Sequence, residues 1–182
     1  MPKVLVPLAE GFEEVEGVTI IDILRRAGAE VVVAGVDRDV VEGSHGIAIE
    51  ADVRLDSVDV IGFDMIVLPG GMPGAENLTT SHAVLRAVRQ LSTAGRFVAA
   101  VCAAPMVLEE AGVLTGRTVT SHPNHSRFIS SARHTGERVE VDEKVITGQA
   151  AGSAMEFAFK LVELLFGKEK VEAVNRSVLA RL

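Results

Sequence analysis

The order of short apolar runs and amphipathic helices along this chain is the feature that most restricts its fold. The run Lys3 to Leu8 precedes a helical segment whose apolar side chains recur every three or four residues from Ile20 to Ala27. A second run, Glu30 to Gly35, comes soon after Gly28, a residue type favoured at helix C-termini. A strand, a helix and a strand in this order predict two parallel strands joined by a right-handed crossover.

The same pattern continues to the end of the chain. Phe63 to Leu68 and Phe97 to Val101 are further strand-like runs, and an amphipathic helix extends from Met155 to Phe166. Repeated strands with helices between them predict an α/β fold, in which helices cover both faces of an open, mostly parallel sheet. The 182 residues fit one domain, 1–182, because domains of ~100–200 residues are the norm.

Composition and charge argue against several classes of protein. The formal net charge is −7 and the pI about 5.3, whereas a nucleic-acid partner requires a basic face. A single cysteine leaves no internal disulfide and no zinc site built from several cysteines. The apolar runs are far shorter than the ~20 residues of a membrane span, and no signal-peptide pattern opens the sequence. We therefore expect a cytoplasmic protein without a membrane or nucleic-acid partner.

Candidate functional residues follow the carboxyl ends of three predicted strands. The segment Ala9 to Glu16 follows the first strand, Pro69-Gly70-Gly71 follows the third, and Cys102 follows the fourth. The carboxyl ends of parallel strands meet at one edge of a sheet, where ligands of such folds bind. We therefore expect these three segments to lie close together.

Cys102 is the candidate nucleophile. A lone cysteine is more often a small buried apolar residue, so the surrounding sequence has to decide. Ala100 and Ala104 place small side chains two positions before and after it, which is the spacing of a nucleophile elbow between a strand and a helix. A thiolate at the start of a helix is also favoured by the helix dipole and by free N–H groups.

Two glycines and an alanine supply candidate backbone donors. Gly70 and Gly71 allow close approach of a substrate, and their N–H groups together with that of Ala103 would form an oxyanion hole. The alternative for the glycines is a plain turn after a strand.

Three acidic residues, Glu13, Glu14 and Glu16, begin the first helix. Acidic residues are favoured in the first turn of any helix, so a solvated helix end is one interpretation. The other is that one of the carboxyls faces Cys102. Partial burial near the thiol would raise its pKa and let it donate a hydrogen bond or move a proton.

His122 is the best-placed histidine partner for Cys102, because it follows another predicted strand end. The spacing of His122 and His125 is compatible with a metal, but no third ligand is evident, and we predict neither a metal nor a cofactor. The remaining histidines lie in predicted loops or at a helix start, where we expect them to be solvated: His45, His82 and His134.

The chain resembles the ThiJ/PfpI superfamily, in particular the branch of the Parkinsonism-associated deglycase and its bacterial relatives. The residues that carry this resemblance are Glu13-Glu14-Val15-Glu16, Leu68-Pro69-Gly70-Gly71 and Ala100-Val101-Cys102-Ala103-Ala104-Pro105. The resemblance implies a flavodoxin-like three-layer sandwich and a homodimer whose interface lies close to the site. It also implies that Cys102 is the reactive, oxidation-prone cysteine and that Glu16 is the protonated glutamate beside it. His122 matches the histidine near the thiol, and the positions that frame an anion pocket are Gly70, Gly71 and Ala103.

Several residues depart from that family. His45 stands where the family often has an arginine that reaches the pocket of the partner subunit, and Ala150 to Ser153 replaces a Gly-Pro-Gly-Thr-like pattern. Ala103 stands where the protease-like branch has a histidine, which disfavours peptidase activity. A glutamine amidotransferase normally needs a His-x-Glu pair late in the chain, and none follows Cys102.

Two functions remain open at this point. The first is a glyoxalase-like or deglycase-like enzyme, in which Cys102 adds to an α-oxoaldehyde such as methylglyoxal and Glu16 moves a proton. Its substrate would be a small reactive aldehyde or an early glycation adduct. The second is an oxidative-stress sensor or chaperone that works through oxidation of Cys102.

Overall fold

The apolar runs form the middle of a seven-stranded sheet in the computed structural model, which describes residues 1–182. All neighbouring strands are parallel except the pair at one edge, which is antiparallel. In order across the sheet, from the antiparallel edge, the strands are β10 (Val139–Asp142), β11 (Val145–Gly148), β7 (Phe97–Val101), β6 (Met65–Leu68), β1 (Lys3–Leu8), β2 (Glu30–Gly35) and β5 (Val53–Arg54).

Six helices and two small two-stranded sheets complete the structure. The helices are α1 (Glu14–Ala27), α2 (Gly74–Thr80), α3 (His82–Thr93), α4 (Pro105–Glu110), α5 (Ala154–Phe166) and α6 (Lys168–Val178). The remaining strands are β3 (Val40–Glu42) with β4 (Ala48–Glu50), and β8 (Thr118–Val119) with β9 (Arg133–His134). None of the six helices is long and apolar enough to cross a membrane.

Side chains alternate between the two faces of the sheet and bury two cores of similar size. Along β1, Val4 and Val6 belong to the core of 24 buried residues under α1, α5 and α6. Leu5 points the other way, into the core of 25 buried residues under α2, α3 and α4. Both faces are therefore covered, and the predicted flavodoxin-like three-layer fold is confirmed.

Most predicted elements occur where the sequence placed them, with a few differences. The strand predicted from Phe63 begins at Met65, and the short helix α2 was not predicted because Gly74 and two threonines are poor helix formers. The strand predicted before His122 is β8, which pairs with β9 outside the main sheet. Gly28 ends α1 with φ of 91°, as its position after the helical pattern predicts.

The chain reverses its direction across the sheet between β1 and β6. From β1 it adds β2 and β5 on one side, and then returns to add β6, β7 and β11 on the other side. The loops that leave β1 and β6 therefore diverge at their carboxyl ends, which creates a crevice. The three candidate segments all border this crevice.

Leu91 and Gln90 provide a test of the core under α3. Leu91 is fully buried and Gln90 is exposed one position before it. We expect Leu91→Ala to lower the free energy of unfolding by about 2–5 kcal/mol, because it leaves a cavity. Gln90→Ala should stay within about 0.5 kcal/mol of the parent protein. Urea unfolding measures both values, and equal effects would contradict the described packing of α3.

Candidate active site

Cys102 occupies a strained turn between β7 and α4. Its φ of 62° is in the left-handed region, which residues other than glycine rarely adopt. Its N–H donates to the carbonyl of Gly148 at 2.9 Å, and the flanking Ala100 and Ala104 are fully buried. Larger side chains at these two positions would collide with their surroundings. The nucleophile elbow predicted from the small flanking residues is therefore present, with a half-buried thiol.

Gly70 brings the turn after β6 against the cysteine. A Cβ atom at this position would lie 2.8 Å from each of three atoms: Cys102 Cβ, Glu16 Oε2 and the Val101 carbonyl oxygen. Because real Cβ atoms essentially never come this close to other heavy atoms, only glycine fits without a shift of the backbone. The turn therefore positions Glu16 and Cys102 relative to each other.

Glu16 is the acidic residue that faces the thiol. It lies in the first turn of α1, is fully buried, and accepts a hydrogen bond through Oε2 from the N–H of Gly70 at 2.7 Å. Its other oxygen, Oε1, is buried and has no hydrogen-bond partner. A buried carboxyl with an unpartnered oxygen is more stable when it carries a proton, because a charge there is poorly solvated.

The pKa of Glu16 reflects this burial. Burial raises it from 4.5 to about 7, while hydrogen bonds from Gly70 and Cys102 favour the ionised form and oppose the rise. The charge of Glu13 raises this pKa further. Glu16 therefore changes its charge near neutral pH, which suits a group that accepts and returns a proton.

The thiol behaves differently from the expectation for the start of a helix. Burial and the ionised Glu16 raise the pKa of Cys102 to about 12, although the N–H groups of Ala103 and Gly71 oppose this. The expected stabilisation of the thiolate by the helix is thus outweighed while Glu16 is ionised. Because α4 has only six residues, its dipole is also short. While Glu16 is ionised, the thiol therefore keeps its proton at neutral pH.

The backbone N–H groups near the thiol have two different partners, Glu16 and the sulfur of Cys102. The N–H of Gly70 donates to Glu16 Oε2, and the predicted place of Gly70 in an oxyanion hole stays a prediction. The N–H groups of Gly71 and Ala103 instead face the sulfur of Cys102. These two donors remain for a negative charge that develops next to the thiol.

His122 contacts Cys102 through its backbone. Its N–H donates to the Cys102 carbonyl at 2.9 Å, and its ring nitrogen Nδ1 accepts the N–H of Asn124 at 3.2 Å. The hydrogen bonds of the thiol do not include the His122 ring. The structure therefore brings His122 beside the elbow but uses its side chain to cap the short helix at 123–128.

Glu14 is also buried, but it faces the turn between β3 and β4 and not the thiol, which the sequence did not indicate. Its carboxylate accepts the N–H groups of His45 at 2.6 Å and of Ile47 at 3.3 Å, and it also contacts the Ser44 hydroxyl and His45 Nδ1. Burial by itself raises the pKa of Glu14, but these bonds outweigh it and lower the pKa to about 2. Glu14 therefore attaches the turn between β3 and β4 to the start of α1. Gly43, directly before Ser44, was the only signal for this contact, because a Cβ there would meet the Glu14 carboxylate.

Three side chains near this turn have the ligand types of a metal site. The ligand atoms of Glu13, Glu14 and His45 lie within 4.8 Å of one another. Both oxygens of Glu14, however, already have partners: Oε1 accepts the N–H groups of His45 and Ile47, and Oε2 contacts the Ser44 hydroxyl and His45 Nδ1. The cluster is therefore explained by its own hydrogen bonds. Of the histidines expected to be solvated, His45 is exposed but bound to Glu14, and His134 lies half-buried in β9.

Together, this fold and this site define a class of α/β proteins in which a cysteine on a nucleophile elbow is paired with a buried glutamate. The chain belongs to the DJ-1/PfpI family, whose model matches residues 2–164. The family resemblance drawn from the three sequence motifs is thereby confirmed.

Relatives with curated descriptions agree with this assignment. Protein dj-1beta of Drosophila melanogaster is 39% identical over 96% of this chain and 95% of its own length. The glutathione-independent glyoxalase DJR-1.2 of Caenorhabditis elegans is 31% identical over 91% of this chain and 89% of its own length. Protein DJ-1 homolog A of Arabidopsis thaliana is 41% identical over 98% of this chain. The chain spans about half the length of that plant relative, 46% of it.

Solved structures match over the whole chain. The crystal structure of Drosophila melanogaster DJ-1beta has a TM-score of 0.96 at 38% identity and covers 100% of this chain and 99% of its own. Oxidised Toxoplasma gondii DJ-1 has a TM-score of 0.96 at 40% identity and covers 100% of both chains. The described fold is therefore the fold of this family.

The pKa of Glu16 predicts how stability depends on pH. A carboxyl whose pKa is raised on folding contributes stability that is present below its unfolded value of 4.5 and is lost as the pH rises through about 7. We expect the free energy of unfolding to fall between about pH 5 and about pH 8, and Glu16→Gln to reduce this fall. Urea unfolding at both pH values measures it.

A matched control removes an exposed carboxyl at the amino ends of the strands, away from the site. Glu30 pairs with Lys3 at the amino end of β2, and Glu30→Gln should keep the pH dependence of the parent protein. Glu14 acts between about pH 2 and pH 4.5 and does not affect the measured window. The same fall in the parent protein and in Glu16→Gln would contradict the raised pKa.

Proposed function

We propose that this protein is a cysteine-dependent enzyme that converts α-oxoaldehydes such as methylglyoxal into 2-hydroxy acids without glutathione. The observation that carries the proposal is the buried pair of Cys102 and Glu16. Glu16 has a pKa of about 7 and directly neighbours the only thiol of the chain. A base poised near neutral pH beside a nucleophile is the arrangement that covalent catalysis needs.

The first step is formation of a hemithioacetal. The Glu16 carboxylate takes the proton of the Cys102 thiol while the sulfur attacks the aldehyde carbon. A C–S bond forms, the C=O double bond becomes a single bond, and its oxygen receives the proton that Glu16 took from the thiol, so that Glu16 is again a carboxylate. The N–H groups of Gly71 and Ala103, which face the sulfur, are suited to bind the oxygen while it is negatively charged.

The second stage moves hydrogen between neighbouring carbons. Glu16 removes the proton from the carbon bonded to sulfur and returns it to the adjacent carbon of the resulting enediolate, while the hydroxyl proton of the first carbon passes to the oxygen of the second. The first carbon is thereby oxidised to a thioester and the second is reduced to an alcohol, so no external oxidant is required. Water then cleaves the thioester, which releases the hydroxy acid and restores the Cys102 thiol. His122, beside the elbow, is the candidate that assists these proton transfers.

The comparisons support the same reaction class. The C. elegans relative is named a glutathione-independent glyoxalase. Release of aldehyde from early glycation adducts would enter the same sequence of steps, because the free aldehyde is then consumed at Cys102. A deglycase-type activity is therefore included in the proposal. Peptidase activity is not, because Ala103 leaves no histidine directly after the cysteine.

Formation of lactate from methylglyoxal, without glutathione, tests the proposal. We expect turnover by the parent protein, loss of turnover in Cys102→Ser, and a decrease of at least about 100-fold in Glu16→Gln, because a positioned base contributes about 10²–10⁴-fold. The control is Glu30→Gln, which should be fully active. Full turnover by folded Glu16→Gln would refute the assigned role of Glu16.

An oxidation sensor or stress chaperone is the second candidate, favoured by the single half-buried thiol among backbone donors. One similar structure, from Toxoplasma gondii, is of an oxidised DJ-1. A parent protein that makes no lactate, yet gains two oxygens at Cys102 under mild peroxide, would favour this function. Intact-mass measurement detects the gain, and Cys102→Ser should block it.

We further propose a homodimer that uses the outer side of α1 and the neighbouring turn between β3 and β4. Val15 and Val18 are 54% and 47% exposed one helical turn apart on α1, and Ile47 is 57% exposed at the adjacent turn. Contiguous exposed apolar side chains are typical of an interface. This surface lies next to Glu13 and Glu14, so the partner subunit would lie close to the site.

Sedimentation velocity tests the proposed dimer. We expect Val18→Asp to produce a monomer at concentrations where the parent protein is a dimer, because a charge would be buried at the interface. Ile61→Asp is the matched control, since Ile61 is 53% exposed on another surface. A dimer that Val18→Asp leaves intact would exclude this interface. Organisation as one domain, 1–182, and a cytoplasmic location complete the proposal.

A further inference from the structure

Glu13 is close to His45 and precedes Glu16 by three positions at the start of α1. Its N–H donates to the carbonyl of Gly70 at 2.9 Å, and the N–H of the same glycine donates to Glu16 Oε2 at 2.7 Å. The backbone of Glu13 and the carboxyl of Glu16 are thus both bound to Gly70. Glu13 Oε2 lies 3.7 Å from His45 Nδ1 and 3.5 Å from the Ser44 hydroxyl.

The charges of these groups influence one another. Burial is the largest cause of the raised pKa of Glu16, and the negative charge of Glu13 adds to it. The hydrogen bond to Glu14 is the largest cause of the raised pKa of His45, and the charges of Glu13 and Glu14 add to it. Glu13 is the group that acts on both His45 and Glu16.

We propose that Glu13 is a positioning residue that sets the pH at which the Cys102–Glu16 pair loses its proton, and that His45 controls this effect by neutralising Glu13. Glu13 does not touch the reacting sulfur in this assignment. It acts through Glu16, and His45 acts through Glu13. The inference rests on the proposed function only in taking Glu16 as the base for Cys102.

The sign of each effect follows from the charges. Ionised Glu13 repels a second negative charge on the Cys102–Glu16 pair, so the pair keeps its proton to a higher pH. Protonated His45 offsets the charge of Glu13 and lets the pair ionise more easily. Once His45 loses its proton, the full charge of Glu13 acts on the pair again. An exposed imidazole with 69% of its side chain accessible thereby influences a fully buried carboxyl.

Within one chain, few charged groups face these residues. Glu16 faces Cys102 from the elbow and Glu13 from the start of α1, while the turn after β6 contributes only backbone groups. His45 faces Glu13 and Glu14. Glu14 is held ionised by backbone donors, with a pKa of about 2, so its charge stays constant across the neutral range. The variable charges are therefore those of His45 and of the Cys102–Glu16 pair.

The rate of Cys102 alkylation by iodoacetamide, measured against pH, tests this inference without any enzymatic substrate. We expect Glu13→Gln to lower the midpoint of the profile by about half a pH unit, as for a single charge in a partly buried position. His45→Asn keeps a donor near Glu14 but removes the positive charge, and it should raise the midpoint. The double variant should have the midpoint of Glu13→Gln, because His45 then has no charge to offset.

Each alternative outcome is decisive. An unchanged midpoint in Glu13→Gln, or a shift by His45→Asn that persists in the Glu13→Gln background, would overturn the inference. So would an equal shift in Glu30→Gln, which removes a charge at the amino ends of the strands, away from the site. Midpoints that move as expected in a protein that makes no lactate would refute the proposed function and leave this inference intact.

Discussion

The contact between the Glu16 carboxyl, the Gly70 backbone and Cys102 is the interaction on which the site depends. It joins three segments that follow three different parallel strands. These are the start of α1 after β1, the turn after β6, and the elbow before α4 after β7. Gly70 allows the contact because it has no side chain, and its N–H satisfies one oxygen of the glutamate. The other oxygen has no partner, so the carboxyl holds a proton up to about neutral pH.

Two carboxylates of the same helical turn illustrate how environment decides the role of a residue type. Glu14 and Glu16 are both buried and are separated by a single residue. Glu14 meets several donors of the turn between β3 and β4, and its pKa falls to about 2. Glu16 meets one donor and a thiol, and its pKa rises to about 7. The first therefore serves structure, while the second is available for proton transfer.

The strained backbone at Cys102 is supported by its surroundings. A non-glycine residue in the left-handed region costs roughly 1–2 kcal/mol, and the buried small residues on both sides leave the turn no room to relax. The hydrogen bond from Cys102 to Gly148 fixes the elbow to β11, and the bond from His122 fixes the opposite side. The half-buried Cys102 thereby packs against one core of the sheet and stays partly accessible.

The sequence by itself determined the layered fold, the elbow at Cys102 and the edge of the sheet at which the candidate site lies. Apolar periodicity reports burial directly, the small residues around Cys102 report a tight turn, and parallel strands bring their carboxyl ends together. These are local patterns or rules of topology, and they need no coordinates.

Only the tertiary structure decided which hydrogen-bond partners the polar groups of the site have. The glutamate beside the thiol was chosen from family resemblance, whereas its burial and its bond to Gly70 follow from a contact 54 positions apart in the chain. The use of the Gly70 N–H, the saturation of Glu14 and the capping role of the His122 ring could not be predicted either. Each depends on donors supplied by distant segments, and the pKa of a buried group depends on those donors more than on its residue type.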